Sequence, residues 1–281
     1  MIRVEGVSKE FGDIKAVKDL SLHIEQGEIF GLLGPNGAGK STLIALISGQ
    51  QLPTSGTVTV KGASPTSTEA KRSIGVAPQT IALYEELSAM DNLVFFGSLY
   101  RLGKEKLKQR CEEVLEFVEL SERAGDRVET YSGGMKRRLN LAITLMHEPE
   151  ILLLDEPTVG VDPQSRNKLF DNVLALAGQG KTVVYTTHYM EEAEKLCNRV
   201  GVIDHGSLLA LDSVDRLIDQ HGGDSLLSYS TGDESKTHTT SQPIQDLQGV
   251  LQAHDDIRDL RLTRPDLEKV FLNLTGRHLR D

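Results

Sequence analysis

Apolar residues along this chain change their period several times, and each change marks a segment. Over residues 1–33 apolar and polar positions alternate at several points, broken by Gly6, Gly12 and Gly27. That pattern predicts short strands joined by turns. The segment closes on IFGLLG, a continuous apolar run of the kind a buried strand carries. GPNGAGKST follows, and then LIALISG with helix-like apolar spacing, giving strand, glycine loop, helix. Residues 84–147 read as a helical region set between strands. In KEKLKQRCEEVLEFVEL, the residues Leu107, Cys111, Val114, Leu115 and Val118 share one helical face. YSGGMKRRL, residues 131–139, starts another helix. EILLL at 150–154 and TVVYTT at 182–187 return to buried strands, and VGVIDHGSLLALD predicts a hairpin turning at 204–207.

From about Leu217 the pattern changes again. GDESKTHTTSQP, residues 232–243, is polar and rich in turn formers and predicts a loop. Residues 243–254 read as a helix and 257–262 as a strand. A last helix over 265–275 places Leu267, Val270, Phe271 and Leu274 on one face, with Gly276 as its stop. The pattern thus predicts an α/β domain with an inserted helical region and a small appended α+β unit. Repeats and coiled-coil heptads are absent.

Composition narrows the function classes. The 281 residues carry 41 acidic and 31 basic side chains, a formal net charge of -10. Binding to nucleic acid or anionic lipid would need a local basic patch against that charge, and no nucleic-acid partner is expected. Cys111 and Cys197 are the only cysteines and have no metal-ligand spacing. A structural disulfide or zinc site is not expected, and a reducing compartment fits. MIRVEGVSKEFG lacks the apolar core of a signal peptide, and runs such as ILLL are far too short to span a bilayer. Any membrane role would pass through a partner.

The chemistry sits in three short stretches. GPNGAGKS, residues 34–41, fits G-x-x-x-x-G-K-[ST], in which glycines turn backbone N–H groups inward around phosphate oxygens. Lys40 can reach the β- and γ-phosphates, and Ser41 can bind Mg²⁺. ILLLDEP places two carboxylates at the exit of a buried strand. Asp155 suits Mg²⁺ held through water, and Glu156 suits orienting and deprotonating an attacking water. The third stretch is YSGGMKRRL. Lys136, Arg137 and Arg138 stand near a helix N-terminus, where positive charge is disfavoured by about 0.3–1 kcal/mol per residue. Ser132, Gly133 and Gly134 offer a hydroxyl and N–H groups, an anion site at a helix start. A phosphate bound there would also offset the three cations. Taken alone, the stretch reads better as an ordinary Ser N-cap with solvated basic side chains; the phosphate loop upstream is what favours a second anion site.

Together these stretches resemble an ATP-binding cassette (ABC) ATPase, the nucleotide-binding subunit of a transporter. GPNGAGKST resembles the family's phosphate loop, YSGGM its LSGGQ signature, and ILLLDEP its magnesium and catalytic-glutamate strand. The resemblance covers residues 1–215 with the motifs in family order. It implies a P-loop NTPase cassette, with a RecA-like core, an antiparallel β subdomain and an α-helical subdomain at about 84–147. Residues 216–281 would form a C-terminal accessory or regulatory domain.

The resemblance also implies roles. ATP and Mg²⁺ are the expected cofactors. Gly34, Pro35, Asn36, Gly37, Ala38, Gly39, Lys40, Ser41 and Thr42 would cradle the phosphates, and Phe11 would stack on adenine. Gln79 would touch Mg²⁺ and sense the transporter partner, with Ser41 and Asp155 completing the metal set. His188 would contact the γ-phosphate beside the catalytic Glu156 and Lys40, and Asp162 would communicate across a dimer. In this family two cassettes pack head to tail, so Ser132, Gly133 and Gly134 would complete the partner's site. The dimer would pair two copies or this chain with a related one. A separate membrane permease is implied, placing the chain peripherally at the cytoplasmic face of the cell membrane.

Two departures from the signature, Tyr131 and Met135, resemble exporters of the drug- and antibiotic-resistance type. So do VGVDP and the tail LTRPDLEKVFLNLTGRHLRD. Export is the expected direction. An importer ATPase needs the same chemistry, and a soluble ABC protein acting on ribosomes or DNA is the third reading. Drug, antibiotic, lipid, peptide and ion cargo all fit the sequence.

Overall fold

The chain starts with a hairpin of β1 (Ile2–Phe11) and β2 (Ile14–Ile24). Gly6 lies inside β1 rather than in a turn, at φ 55°, where the register shifts between Val4 and Val7. It acts as a bulge. Next come β3 (Ile29–Leu33), α1 (Lys40–Ile47) and β4 (Ser55–Val60), which pairs with β1 to give an antiparallel sheet in the order β2-β1-β4. After α2 (Thr68–Ser73) and β5 (Ile74–Ala77) the helical region follows: α3 (Ala89–Leu99), α4 (Lys104–Phe117) and α5 (Gly133–Thr144). The chain then alternates β6 (Ile151–Asp155), α6 (Pro163–Gly178), β7 (Thr182–Thr187), α7 (Met190–Leu196), β8 (Arg199–Asp204) and β9 (Ser207–Ser213). This computed structural model describes residues 1–231 and 234–276.

The apolar runs explain the centre. β3 and β6 are buried at every residue because helices and the other sheet cover both faces. The six-stranded sheet has the order β5-β6-β7-β3-β8-β9, parallel from β5 to β8, with β9 antiparallel at the edge. One of its faces packs with α1 and the β1 sheet around Phe30, Leu43 and Ile47. The other packs with α3 to α7 around Leu139, Leu152, Val173 and Tyr185. On α4, Cys111, Val114 and Leu115 are buried, followed by Val118 at its end. The predicted hairpin turns through His205 and Gly206, both at positive φ, as a two-residue turn requires. Cys111 and Cys197 are both buried and free.

Parallel order decides where chemistry can assemble. Open α/β sheets bind ligands beyond the carboxyl ends of their strands. Gln79 follows β5, Glu156 follows β6, His188 follows β7 and the glycine loop follows β3. Those four strands are neighbours in the sheet, so residues about 30 to 150 apart in sequence end side by side.

The last segment comprises α8 (Val214–His221), β10 (Ser225–Thr231), β11 (Glu234–Thr240), α9 (Pro243–Ala253), β12 (Ile257–Thr263) and α10 (Leu267–Thr275). β11 corrects the sequence reading of 232–243 as a loop. Its residues pair one for one with β10 from Ser225–Thr240 to Thr231–Glu234. An edge strand of an antiparallel sheet needs no apolar residue on its wet side, and Thr237, Thr239 and Thr240 favour extended backbone. Gly232 and Asp233 of that stretch, and residues 277–281 of the tail, lie outside the described residues. Leu227 and Tyr229 of this sheet pack on Val250 of α9. α10 turns back instead. Its Leu267, Val270 and Phe271 join the cluster that contains Leu196, and the Leu267 N–H donates to Glu194 Oε1 at 2.6 Å. Gly276 ends the helix at φ 70°.

Candidate active site

The glycine loop is shaped by close approaches. A Cβ at Gly34 would lie 2.1 Å from the Ile203 carbonyl oxygen, and one at Gly39 would lie 2.4 Å from that of Ala16. Gly39 also sits at φ 106°, left-handed, immediately before α1. No side chain caps α1. Its first-turn N–H groups have no i−4 acceptor within the helix and point into the loop, the arrangement that holds phosphate. Lys40 folds back over the loop, donating to the Gly34 and Pro35 carbonyls at 2.8 and 3.1 Å. Alongside runs a cleft of about 470 Å³, lined by Asn36, Gly37, Gly39, Lys40, Ser41 and Thr42 together with Gln79 and Glu156. Ile14, Lys15, Ala16 and Lys18 of β2 and His205 complete the wall. No motif marks those five residues; only the hairpin's fold over the loop brings them there. Phe11, at the end of β1, does not line the cleft. It is 47% exposed, with the Lys9 ammonium 5.0 Å from its ring centre.

Glu156 is the meeting point. Its Oε1 lies 2.9 Å from Lys40 Nζ. Its Oε2 accepts from Gln79 Nε2 at 3.2 Å and lies 3.3 Å from His188 Nδ1, a contact without good hydrogen-bond alignment. Burying a carboxylate is costly unless it is paired, and three side chains from three other strand ends supply the pairing. Glu156 also has φ 45°, unusual for a residue with a Cβ. Such backbone costs about 1–3 kcal/mol and persists where surroundings enforce it. Here the Glu156 N–H donates to Thr186 Oγ1 at 2.9 Å, while the Thr186 hydroxyl donates to Asp155 Oδ1 at 2.6 Å. One threonine of β7 therefore holds both the Asp155 carboxylate and the Glu156 backbone.

A divalent cation fits the donors available. Ser41, Gln79 and Asp155 offer hydroxyl, amide and carboxylate oxygens, the hard ligands Mg²⁺ prefers. Among the described residues no cluster of three His, Cys, Asp or Glu residues forms an all-protein cage. Mg²⁺ takes one or two protein ligands and fills the rest with water and phosphate oxygens.

The SGG turn lies elsewhere. Ser132 caps α5, accepting from the Met135 N–H at 3.2 Å, and Ser132, Gly133 and Gly134 are absent from the cleft wall. The Ser N-cap of the sequence reading is present, but the three cations after it are not free in solvent: each has a partner in its own protein. Lys136 pairs with Glu85 at 2.6 Å. Arg137 is buried and donates to the Gln79 and Val159 carbonyls at 2.5 and 3.3 Å. Its burial lowers its pKa, against the opposing pull of Glu156. Arg138 donates to the Val118 carbonyl at 2.5 Å. Each reaches back into its own protein, away from the dipole. Tyr131 is buried, with its hydroxyl on the Arg123 carbonyl at 2.6 Å. Asp162 caps α6, accepting from the Ser165 N–H at 2.9 Å. Its carboxylate sits beside Gly134, not beside the cleft. The structure thus gathers Lys40, Gln79, Glu156 and His188 together, places Ser132, Gly133, Gly134 and Asp162 in a second cluster, and leaves Phe11 at the cleft's outer margin.

A buried polar group behind the site carries no motif. Glu192 of α7 is 1% exposed and accepts from the hydroxyls of Thr158, Tyr185 and Thr187. The sequence signal for it is only the polar pair Thr186 and Thr187 ending an otherwise apolar strand.

Known proteins resemble this chain in sequence and fold. The family model described as ABC transporter matches residues 17–159. The linearmycin resistance ATP-binding protein LnrL of Bacillus subtilis (strain 168) is 43% identical, with all of both chains aligned. The Nod factor export ATP-binding protein I of Rhizobium sp. (strain N33) is 39% identical over 99% of this chain and 98% of its own. The daunorubicin resistance ATP-binding protein DrrA3 of Streptomyces coeruleorubidus is 39% identical over 98% and 96%. Among solved structures, a dimeric ATP-binding cassette in a post-hydrolysis state, bound to ADP and phosphate, superposes with a TM-score of 0.69 at 29% identity. It covers 76% of this chain and 98% of its own. A nucleotide-free cassette from an ABC transporter gives 0.69 at 25% identity, covering 76% and 91%.

Proposed function

The chain belongs to the ABC transporter family, as an ATP-binding and ATP-hydrolysing subunit, and from that premise we propose how its residues drive export. Two subunits close head to tail around two ATP molecules. Each ATP lies between the glycine loop of one subunit and Ser132, Gly133 and Gly134 of the other. The observation that carries this reading is the separation just described. Glu156 gathers Lys40, Gln79 and His188 in the chain's own cleft, while a second anion-competent helix start lies outside its wall.

Residues 34–42 hold the phosphates, with Phe11 against the base. A triphosphate arriving at Lys40 competes with Glu156 for its ammonium. Once released, Glu156 takes a proton from the attacking water as its oxygen bonds to the γ-phosphorus and the bond to ADP breaks. His188 contacts the γ-phosphate. Ser41, Gln79 and Asp155 would hold Mg²⁺, which would supply charge stabilisation to the phosphates. Asp162 reports the state of one site to the other.

Among the described residues no helix is long and apolar enough to cross a membrane. That is consistent with a permease on a separate chain, against which we place this subunit at the cytoplasmic face of the membrane. The helical region at about 84–147 and the Arg137 hold on Gln79 form the path between them. Residues 1–215 are the nucleotide-binding domain and 216–281 an accessory unit, tied back by α10. Relatives named for resistance to linearmycin and daunorubicin and for Nod factor export support outward transport.

The test uses tagged Glu156→Gln protein recovered from detergent-solubilised membranes with ATP and Mg²⁺. A multi-span permease without a substrate-binding protein is expected. A permease with a substrate-binding protein overturns export, and ribosomal proteins in place of a permease overturn transport.

A further inference from the structure

Glu192 is a charged-type side chain in the apolar core, and no assigned role explains it. Three hydroxyls converge on it. Thr158 Oγ1 donates to Oε1 at 2.7 Å, and Tyr185 Oη and Thr187 Oγ1 donate to Oε2 at 3.0 and 2.8 Å. Arg166 Nε stands 3.7 Å from Oε1. The cost of burying the group is therefore met by a built site rather than by chance neighbours.

The donors come from both sides of the candidate chemistry. Thr158 lies two residues after Glu156, in the loop where Glu156 holds its left-handed backbone. Thr187 immediately precedes His188, and its hydroxyl also accepts the Tyr189 N–H at 2.9 Å. His188 thus sits between two residues locked to one another through a hydroxyl that Glu192 fixes. The third connection runs to α6. The Arg166 N–H bonds to the Asp162 carbonyl at 2.9 Å, and the Arg166 guanidinium lies 5.3 Å from the Tyr189 ring centre.

Resting on the ATPase reading above, we infer that Glu192 is a positioning residue for hydrolysis, clamping the loop after Glu156 to the loop that carries His188. It touches neither the cleft nor the glycine loop, so its removal should disturb alignment more than nucleotide binding. Misplacement of reacting groups by about 1 Å can cost a hundredfold in rate.

The experiment compares full-length Glu192→Ala, Glu192→Gln and Thr187→Val with Lys40→Ala and Glu156→Gln as references. Thr187→Val removes the hydroxyl but keeps the shape of a β7 residue, so it decides the matter if Glu192→Ala fails to fold. Thr187→Val should lower kcat about tenfold and Glu192→Ala about thirtyfold or more, each with KM for ATP and fluorescent-ATP affinity within about threefold. Gln keeps one acceptor oxygen for Tyr185 and Thr187 and should restore kcat to within about fivefold of wild type. Without nucleotide, hydrogen exchange at the Tyr189 amide should quicken in Thr187→Val and Glu192→Ala. Wild-type kcat in Thr187→Val, or KM rising in step with the loss of kcat, overturns the inference. Unchanged Tyr189 exchange overturns it too. Full turnover in the Lys40→Ala and Glu156→Gln references would instead overturn the ATPase reading itself.

Discussion

Two helix starts in this protein are built from glycine-rich sequence, and they are finished in opposite ways. α1 begins after a left-handed glycine and has no side-chain cap, and Lys40 at its first position is buried and reaches Glu156. α5 begins with its own serine cap, and its three cations are drawn away into the protein. Both starts offer backbone N–H groups to an anion. Only α1 has a cleft beside it and a buried carboxylate paired with its own lysine. The α5 start is exposed at Ser132 and Gly133, and the carboxylate near it, Asp162, is occupied in capping α6. A helix start of that kind can hold a phosphate but cannot by itself complete a hydrolytic site, and this asymmetry is what a head-to-tail pair would resolve.

The sharpest way to break the comparison is to remove the cation of the first start. Lys40→Ala should lower ATP turnover by at least about a thousandfold, somewhat beyond the loss of one oxyanion donor, because ligand cation and Glu156 partner go together. It should also lower the melting temperature, since Glu156 stays buried with only Gln79 and His188 beside it. Steady-state kinetics and calorimetry check both effects. Next comes the second start. Ser132→Arg should lower turnover by at least about a hundredfold, yet leave fluorescent-ATP affinity of the isolated chain within about threefold. Mixed with Lys40→Ala it should regain activity, because a mixed dimer keeps one intact composite site. Equal loss of ATP affinity in the two variants would mean that both starts serve one cleft.

How much of this was legible in the sequence follows the same divide. The α1 loop is local. Its glycines, its lysine and the buried strand before it lie within a dozen residues, so their spacing alone points to phosphate. The α5 cations misled because their partners, Glu85, Gln79 and Val118, are some 20 to 60 residues away. A helix-dipole argument sees only the near end of a long side chain. Gln79 and His188 are singled out by resemblance to a family, and Glu156 by the paired carboxylates that end ILLLDEP. That they meet on one carboxylate depends on strand order, which no motif encodes. Glu192 is invisible for the same reason: its three donors come from β7 and the loop after β6. β11 escaped because an exposed edge strand has no apolar alternation to read, whereas the α10 face was legible because Leu267, Val270 and Phe271 keep helical period.

A subtler variant tests the contact that ties the second start to its neighbour. A Cβ on Gly134 would lie 2.2 and 2.3 Å from Oγ and Cβ of Ser165. The Ser165 Cβ cannot rotate away, so α5 and α6 must part. Gly134→Ala should cost about 1–3 kcal/mol as an overpacked contact, or about 2–4 °C in melting temperature per kcal/mol for a chain of this size. ATP binding to the isolated chain should be unchanged. ATP-dependent dimer formation in a Glu156→Gln background, followed by light scattering, should weaken. An unchanged melting temperature would mean the two helix starts are not in rigid contact.

The smallest expected effect is acid sensitivity at Asp162, the cap of α6 beside the SGG turn. Its carboxyl is held below its ordinary pKa of 3.8, first by the Ser165 N–H and then by the Ser165 hydroxyl. A depressed folded pKa adds stability that is complete above the unfolded value and is lost as pH falls through the folded one. Asp162→Asn keeps an equally good cap without the charge. The difference in melting temperature between wild type and Asp162→Asn should therefore be constant from neutral pH to about 5. It should then move against the wild type as pH falls below the ordinary carboxylate range. Because the group is fully exposed, added salt should shrink the change. Parallel curves down to pH 2.5 would show that the Ser165 contacts leave the carboxyl untouched, and α6 would then start no differently from α5.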